Sequence, residues 1–188
     1  GISASQIDVL VQGTTLATNA LIERKGARTG LITTQGFRDI LEMRRETRYD
    51  LYDLFIELPE PVVPRHLRLG VRERVNKDGE IVTPLDQIQL RVVVEQLMAQ
   101  GIESLAVCFL SSYANSYHEK LAGEVIAKME PTLPVSLSSE VVAALREDER
   151  FSTTTINAYV MPLAEQYLTS LSDKLAMVGF KGSLFTML

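Results

Sequence analysis

The spacing of apolar and polar positions changes period several times along the chain, and each change marks the edge of an element. Residues 7–11 form a short β-branched run, after which Leu16, Ala17, Ala20 and Leu21 recur at helical spacing, so the switch falls at Gly13-Thr14-Thr15. The pattern predicts a strand-turn-helix corner there. Residues 28–34, "RTGLITT", read as a second strand, and Phe37, Ile40 and Leu41 predict a short helix after Gly36. The stretch "RRETRYDLYDLFIELPEPVVP" then breaks the alternation with charges, aromatics and Pro59, Pro61 and Pro64, which predicts a long excursion. Beyond it, "LRLGVRERV" and "EIVTP" flank Asn76-Lys77-Asp78-Gly79, whose Asp-Gly pair signals a hairpin.

Helical and strand patterns alternate in the second half. Thr83-Pro84-Leu85-Asp86 carries a Thr cap, a proline at the first helical position and an acid at the third, predicting a helix that runs to Gln100 and stops at Gly101. Leu90, Val93, Val94, Leu97 and Met98 give it one apolar face, and residues 105–110 follow as a continuous apolar strand of the parallel-sheet kind. Ser116 and Glu119 match a capping box, Leu121, Val125 and Met129 face inward from the helix it opens, and "LPVSLS" supplies another strand. Val160, Leu163, Tyr167, Leu171 and Leu175 predict a long last helix up to Gly179, in which Pro162 marks either a kink or a fresh start. This order predicts an α/β fold: a mixed to parallel sheet covered by helices, joined by right-handed crossovers, with a β-hairpin excursion.

Composition narrows the class. The 188 residues suit one large domain, and the single Cys108, inside "LAVCFL", reads as a buried thiol in a reducing compartment. A formal charge of −5 speaks against a nucleic-acid surface, which needs a dense lysine and arginine footprint. No apolar run approaches the ~20 residues of a membrane span and the amino terminus lacks a signal-peptide form, so a cytoplasmic protein without a membrane partner is expected. The chain starts with Gly1 and stops inside an apolar strand, which reads as a piece of a longer protein.

Candidate chemistry is sparse. No Walker-type or G-x-G-x-x-G motif is present, and His66 and His118 stand far apart, as surface or capping residues rather than metal ligands. The Gly13-Thr14-Thr15 corner presents backbone N–H groups and two hydroxyls at a helix start, which suits either a plain Thr cap or a site for an anion or polar substrate. In the excursion, Arg44, Arg45, Arg48, Asp50 and Asp53 cluster with Tyr49 and Tyr52, as either a binding loop or a solvated charged loop. Glu147, Asp148, Glu149 and Arg150 precede three threonines where the long helix starts, and acids are favoured at such a position whether or not they form a site.

The stretch "GTTLATNALIERKGARTGLITTQGFRDILEMRR" closely resembles the amino-terminal region of the hydantoinase A and 5-oxoprolinase family, which also includes acetone and acetophenone carboxylase subunits. The runs "DLYDL", "VPRHLRLGVRERVNKDGEIVTPLD", "AVCFLSSYANSYHE", "VSLSSEV" and "ERFSTTTINAYVMPL" extend the resemblance, in order, over nearly the whole chain. It implies that residues 1–188 form an amino-terminal-type domain of that family, with a fold similar to part of the actin, sugar-kinase and Hsp70 group. The implied activity is ATP- and Mg2+-dependent hydrolysis of a cyclic amide (hydantoin, N-methylhydantoin or 5-oxoproline) through phosphorylation of its oxygen, with a B-type partner subunit. The alternatives are a fragment of an ATP-dependent ketone carboxylase subunit and a non-catalytic ligand-binding or scaffolding domain. By the same resemblance Gly13, Thr14, Thr15, Thr18 and Asn19 face substrate or phosphate, Arg44 and Arg48 being further candidates. The family's Gly-Gly-Thr phosphate loop belongs to a strand preceding Gly1, so this chain alone is expected not to hydrolyse ATP.

Overall fold

The computed structural model describes residues 3–45, 52–53 and 55–187. In chain order its elements are β1 (Val9–Gly13), α1 (Leu16–Ile22), β2 (Thr29–Thr34), α2 (Ile40–Met43), β3 (Arg68–Val71), β4 (Arg74–Val75) and β5 (Ile81–Thr83). There follow α3 (Gln87–Ala99), β6 (Ser104–Cys108), α4 (Tyr117–Met129), β7 (Val135–Leu137), α5 (Ser138–Val141), α6 (Glu147–Met177) and β8 (Ser183–Met187). They fall into two compact units, Gly1–Gly26 with Val160–Leu188, and Ala27–Tyr159.

The larger unit is built on a four-stranded parallel sheet in the order β3-β2-β6-β7. Every residue of β2 and β6 is buried, which is why both read as unbroken apolar or small-residue runs and not as alternating ones. α3 and α4 pack on each other and on the sheet, α3 through Leu90, Val93, Val94 and Leu97 and α4 through Ala122, Val125 and Ile126. Burying one such aliphatic side chain contributes about 1.5–3 kcal/mol, more than a cap, so packing rather than end chemistry decides where these helices lie. Arg68, itself buried, ties the far end of the proline-rich excursion to the sheet: its guanidinium donates to Val63 O (2.6 and 2.8 Å) and pairs with Glu42 of α2.

Several boundaries differ from the sequence expectation for identifiable reasons. "LRLGVRERV" divides into β3, which joins the parallel sheet, and β4, which pairs antiparallel with β5. The hairpin turn is the expected one: Asn76 Oδ1 accepts from the N–H groups of Asp78 and Glu80, and Gly79 takes φ +83°. Thr83 is paired with Arg74 in that ladder, so it cannot cap the next helix. Asp86 caps α3 instead, accepting from Gln89 N at 2.9 Å. β6 ends at Cys108, leaving Phe109 and Leu110 just beyond the ladder.

In the smaller unit, β1 pairs parallel with β8, Val11 opposite Phe185, and Gln12 bonds Tyr167 of α6. β1 begins at Val9, because Ala4–Gln6 form a 3-10 turn closed by a Ser3–Gln6 capping box. α6 is one helix of 31 residues with Pro162 inside it, neither broken nor restarted there. It closes at Gly179 (φ +83°), where Phe180 N donates to Leu175 O.

Gly70 of β3 lies where the chain crosses Gln35, and a Cβ there would stand 2.9 Å from the Gln35 Cα. A methyl group meeting backbone has no flexible neighbour to displace. Gly70→Ala is expected to lower stability by about 1–3 kcal/mol in urea unfolding, while the same change at Gly101, where the space is open, costs only its positive φ.

Candidate functional site

Where β2, β6 and β7 stop side by side, helix side chains satisfy the backbone groups that the ladder no longer pairs. Glu119 of α4, fully buried, accepts from Phe109 N (2.8 Å), Ser138 Oγ (2.6 Å) and Ser139 N (2.7 Å). Arg150 of α6, also fully buried, donates to Phe109 O (2.9 Å) and Ser112 Oγ (2.6 Å). Ser112 and Ser138 lie 3.0 Å apart. Since the Ser138 proton goes to Glu119, Ser112 must donate to Ser138, and a directed relay runs Arg150, Ser112, Ser138, Glu119. Beside it, the Thr34 hydroxyl donates to Glu73 and accepts from Leu110 N (3.0 Å), and the other Glu73 oxygen meets His118 Nδ1 at 2.8 Å.

Two adjoining clefts, of about 540 and 520 Å³, open above this edge and share Ile40, Met43 and Glu147. Their size suits a small molecule, and the carboxyl ends of parallel strands are where open α/β sheets bind ligands. The first is walled by Gly36, Phe37, Leu110 and Ser111, with Arg74 stacked over the Phe37 ring at 5.3 Å. The second carries Arg44, Arg45, Arg146, Asp148 and Glu149. Arg44 (φ +51°), Ser111 (φ +55°) and Arg146 (φ +82°) are three of the four described non-glycine residues with positive φ, and all three line these clefts. Backbone held in that region costs of order 1–3 kcal/mol and gathers at functional sites.

The charges of the clefts are largely paired. Arg65 hydrogen-bonds both oxygens of Asp39 (2.7 and 3.0 Å) and holds its carboxyl below the usual carboxylate range. The stability this adds is therefore present at neutral pH and fades as pH falls through the lowered value. Glu149 pairs with Arg45, and Glu147 lies 3.7 Å from Arg150. Burial pushes the Cys108 thiol up, which keeps it an inert core group.

The sequence candidates divide between the two units. Gly13, Thr15, Thr18 and Asn19 are exposed and Thr14 is half-buried, so the corner is open. Thr15 precedes α1 without making a side-chain cap, and Asn19 Nδ2 donates to its hydroxyl at 3.3 Å. Arg44 lines the second cleft and donates to Pro59 O, whereas Arg48 lies outside the described residues. His118 is corrected: it is buried against Glu73, not on the surface. The capping box is corrected too, because Ser116 makes no side-chain cap and Glu119 turns into the core. Glu73 was not singled out by sequence, and Arg150 was read only as part of the charged entry to the long helix; the spacing of Glu73, Glu119 and Arg150 offers no signal of the network they form.

For a nucleotide the corner is a poor fit as it stands. Thr14 N–H is taken by Met187 O (3.0 Å) and Leu16 N–H by the Thr14 hydroxyl (3.2 Å), so two of the donors a phosphate needs are spent. Among the described residues there is no cluster of metal-ligating side chains.

A parallel sheet packed with helices, with clefts at its carboxyl edge, defines an α/β domain. Residues 1–130 match the model of the hydantoinase/oxoprolinase N-terminal region, and the chain belongs to that family. It is 39% identical over 189 residues to an uncharacterized protein of Methanocaldococcus jannaschii, covering 99% of this chain and 28% of that protein. Identity is 35% to the caprolactamase subunit alpha of Pseudomonas jessenii, over 86% of this chain and 23% of that one. It is 32% to the acetophenone carboxylase gamma subunit of Aromatoleum aromaticum, over 95% and 26%. The crystal structure of the ATP-dependent caprolactamase from P. jessenii superimposes with a TM-score of 0.91 at 31% identity, over 97% of this chain and 27% of that one. The chain thus spans about a quarter of the length of these relatives.

Glu119 tests the reading of the sheet edge. Were it only a capping residue, Glu119→Ala would cost about 0.5–2 kcal/mol. Because two buried donors and a half-buried one lose their acceptor, a loss of about 3 kcal/mol or more is expected in chemical denaturation, with Glu119→Gln costing less.

Proposed function

We propose that the chain is the amino-terminal region of an ATP-dependent subunit that hydrolyses a cyclic amide: a hydantoin, N-methylhydantoin or 5-oxoproline. The observation that carries this reading is the backbone likeness to the ATP-dependent caprolactamase along nearly the whole chain. A lactam carbonyl is a poor electrophile, and phosphorylation of its oxygen is the activation that ATP and Mg2+ would supply in the complete enzyme. In the larger unit, the clefts give a small ring an apolar wall and polar rim on rigid supports. In the smaller unit, we assign Gly13, Thr14, Thr15, Thr18 and Asn19 to an exposed polar surface facing substrate or phosphate, completed by chain beyond these residues. Part of the actin, sugar-kinase and Hsp70 group of folds is the architecture this reading expects. A partner of the hydantoinase B type and a cytoplasmic location belong to the same proposal. No helix of the described residues is long and apolar enough to cross a membrane.

A second reading, an ATP-dependent ketone carboxylase subunit, is favoured by the 32% identity to the acetophenone carboxylase subunit. The two are separated by assaying the complete protein and its partner, with ATP and Mg2+, against hydantoins, 5-oxoproline and ketones with bicarbonate. Ring opening without carboxylation is the expected result. In that protein Thr14→Ala and Thr15→Ala should lower turnover by up to ~10²-fold if the hydroxyls meet developing charge. Equal loss of melting temperature and activity would make them structural.

The 188-residue chain by itself is expected neither to bind Mg-ATP in calorimetry nor to release phosphate above a heat-killed control. Phosphoryl transfer depends on a complete cradle and metal, and the Thr14 and Leu16 donors are already engaged. Micromolar binding with turnover would show that the corner suffices.

A further inference from the structure

We propose that the cleft walled by Phe37, Ile40, Met43 and Leu110 is a binding site for a small monocarboxylate with an apolar body, and that Arg74 is the residue that holds the carboxylate. Both acids lining this cleft have a cation of their own: Asp39 is bound at two oxygens by Arg65, and Glu147 stands 3.7 Å from Arg150. Among the described residues no carboxylate lies within ion-pair distance of Arg74, which makes it the cation of this cleft that neither of the lining acids neutralises. The Phe37 ring, with its centroid 5.3 Å from the guanidinium carbon, attracts the cation without occupying its N–H groups.

The rest of the cleft sets the class. Ile40, Met43 and Leu110 supply an apolar wall for the ligand body, and Thr34 pins that wall by accepting from Leu110 N at 3.0 Å. A planar guanidinium matches one carboxylate through two parallel hydrogen bonds. A phosphate dianion needs more than one cation and would meet Asp39 and Glu147 nearby, so the geometry favours a single negative charge. The site occupies the cleft that the cyclic-amide reading gives to the ring and deepens that reading, but it concerns binding to the chain and not turnover, so the two are tested separately.

The test uses the 188-residue chain, with para-fluorobenzoate as probe and para-fluorobenzamide as its uncharged counterpart of the same shape, followed by fluorine NMR. Saturable binding of the benzoate is expected, with the benzamide about tenfold or more weaker, the ratio that one charge-assisted hydrogen-bonded pair supplies. Arg74→Ala should erase that preference, and Arg74→Lys, which keeps the charge but not the fork, should restore part of it. Both variants are checked for fold by circular dichroism, and Arg74→Gln replaces whichever fails. Equal binding of the two probes, unchanged benzoate affinity in the folded Arg74→Ala or Arg74→Gln chain, or no saturable binding of benzoate would each overturn the proposal. Retained benzoate binding in a protein that fails to open any cyclic amide would overturn the functional reading and leave this one standing.

Discussion

Three parallel strands that stop together inside a protein leave a row of backbone groups that must be hydrogen-bonded without water, and the fold of the larger unit depends on how that row is satisfied. Residue 109 is the centre of it. The Phe109 N–H donates to Glu119 of α4 and its carbonyl accepts a hydrogen bond from Arg150 of α6, so a buried anion and a buried cation bracket the backbone of one residue. Burying either charge alone would cost several kcal/mol. The Ser112–Ser138 relay between them lets each polarise the other, and that is what makes both tolerable in the core.

This bracket has a consequence for the surface above. Residues 109 and 110 are held through their backbone, by Glu119, Arg150 and Thr34, and the chain must turn sharply at Ser111, which takes φ +55°. The network below fixes the residues that lead into this turn, and the loop closes it, the Ser111 carbonyl accepting from Ala114 N (2.9 Å) and Asn115 N (3.2 Å). A cleft wall fixed in this way presents its side chains with little entropy left to lose on binding, which is the usual advantage of building a site on strand ends.

Much of this was legible from the sequence, and the division follows a physical line. Wherever burial repeats with the period of an element, as in Leu90-Val93-Val94-Leu97 or the unbroken 105–108 run, the pattern marks the element directly. The Asp78-Gly79 turn was legible because only a few residue types accept its backbone angles. Glu119 was misread because Ser116 and Glu119 stand at capping-box spacing, and nothing local distinguishes a carboxylate that folds back on its own helix from one that turns inward. Its partners lie ten and twenty residues away. Glu73 and His118 are 45 positions apart, and Arg150 hides in a run of acids that reads as solvated. Polar groups that serve the tertiary structure leave no period, so periodicity finds the core and misses the charges that terminate it.

The same distinction governs the electrostatics. A net charge of −5 describes a chain that should repel anions at long range. At physiological salt that repulsion is screened beyond about 8 Å, so within hydrogen-bond reach the local pairing decides. At the start of α6, Glu147, Asp148 and Glu149 look in sequence like unrelieved repulsion. In the structure Glu149 meets Arg45, and Arg146 at 3.8 Å, while Glu147 faces Arg150. Two of the three acids, Glu147 and Glu149, are thus answered by arginines within or flanking α6 and α2, while Asp148 accepts from the Ser152 hydroxyl; in the neighbouring cleft the Arg74 guanidinium lies over an aromatic ring. An acidic protein can in this way keep a cationic spot, because the acids beside it, Asp39 and Glu147, face Arg65 and Arg150.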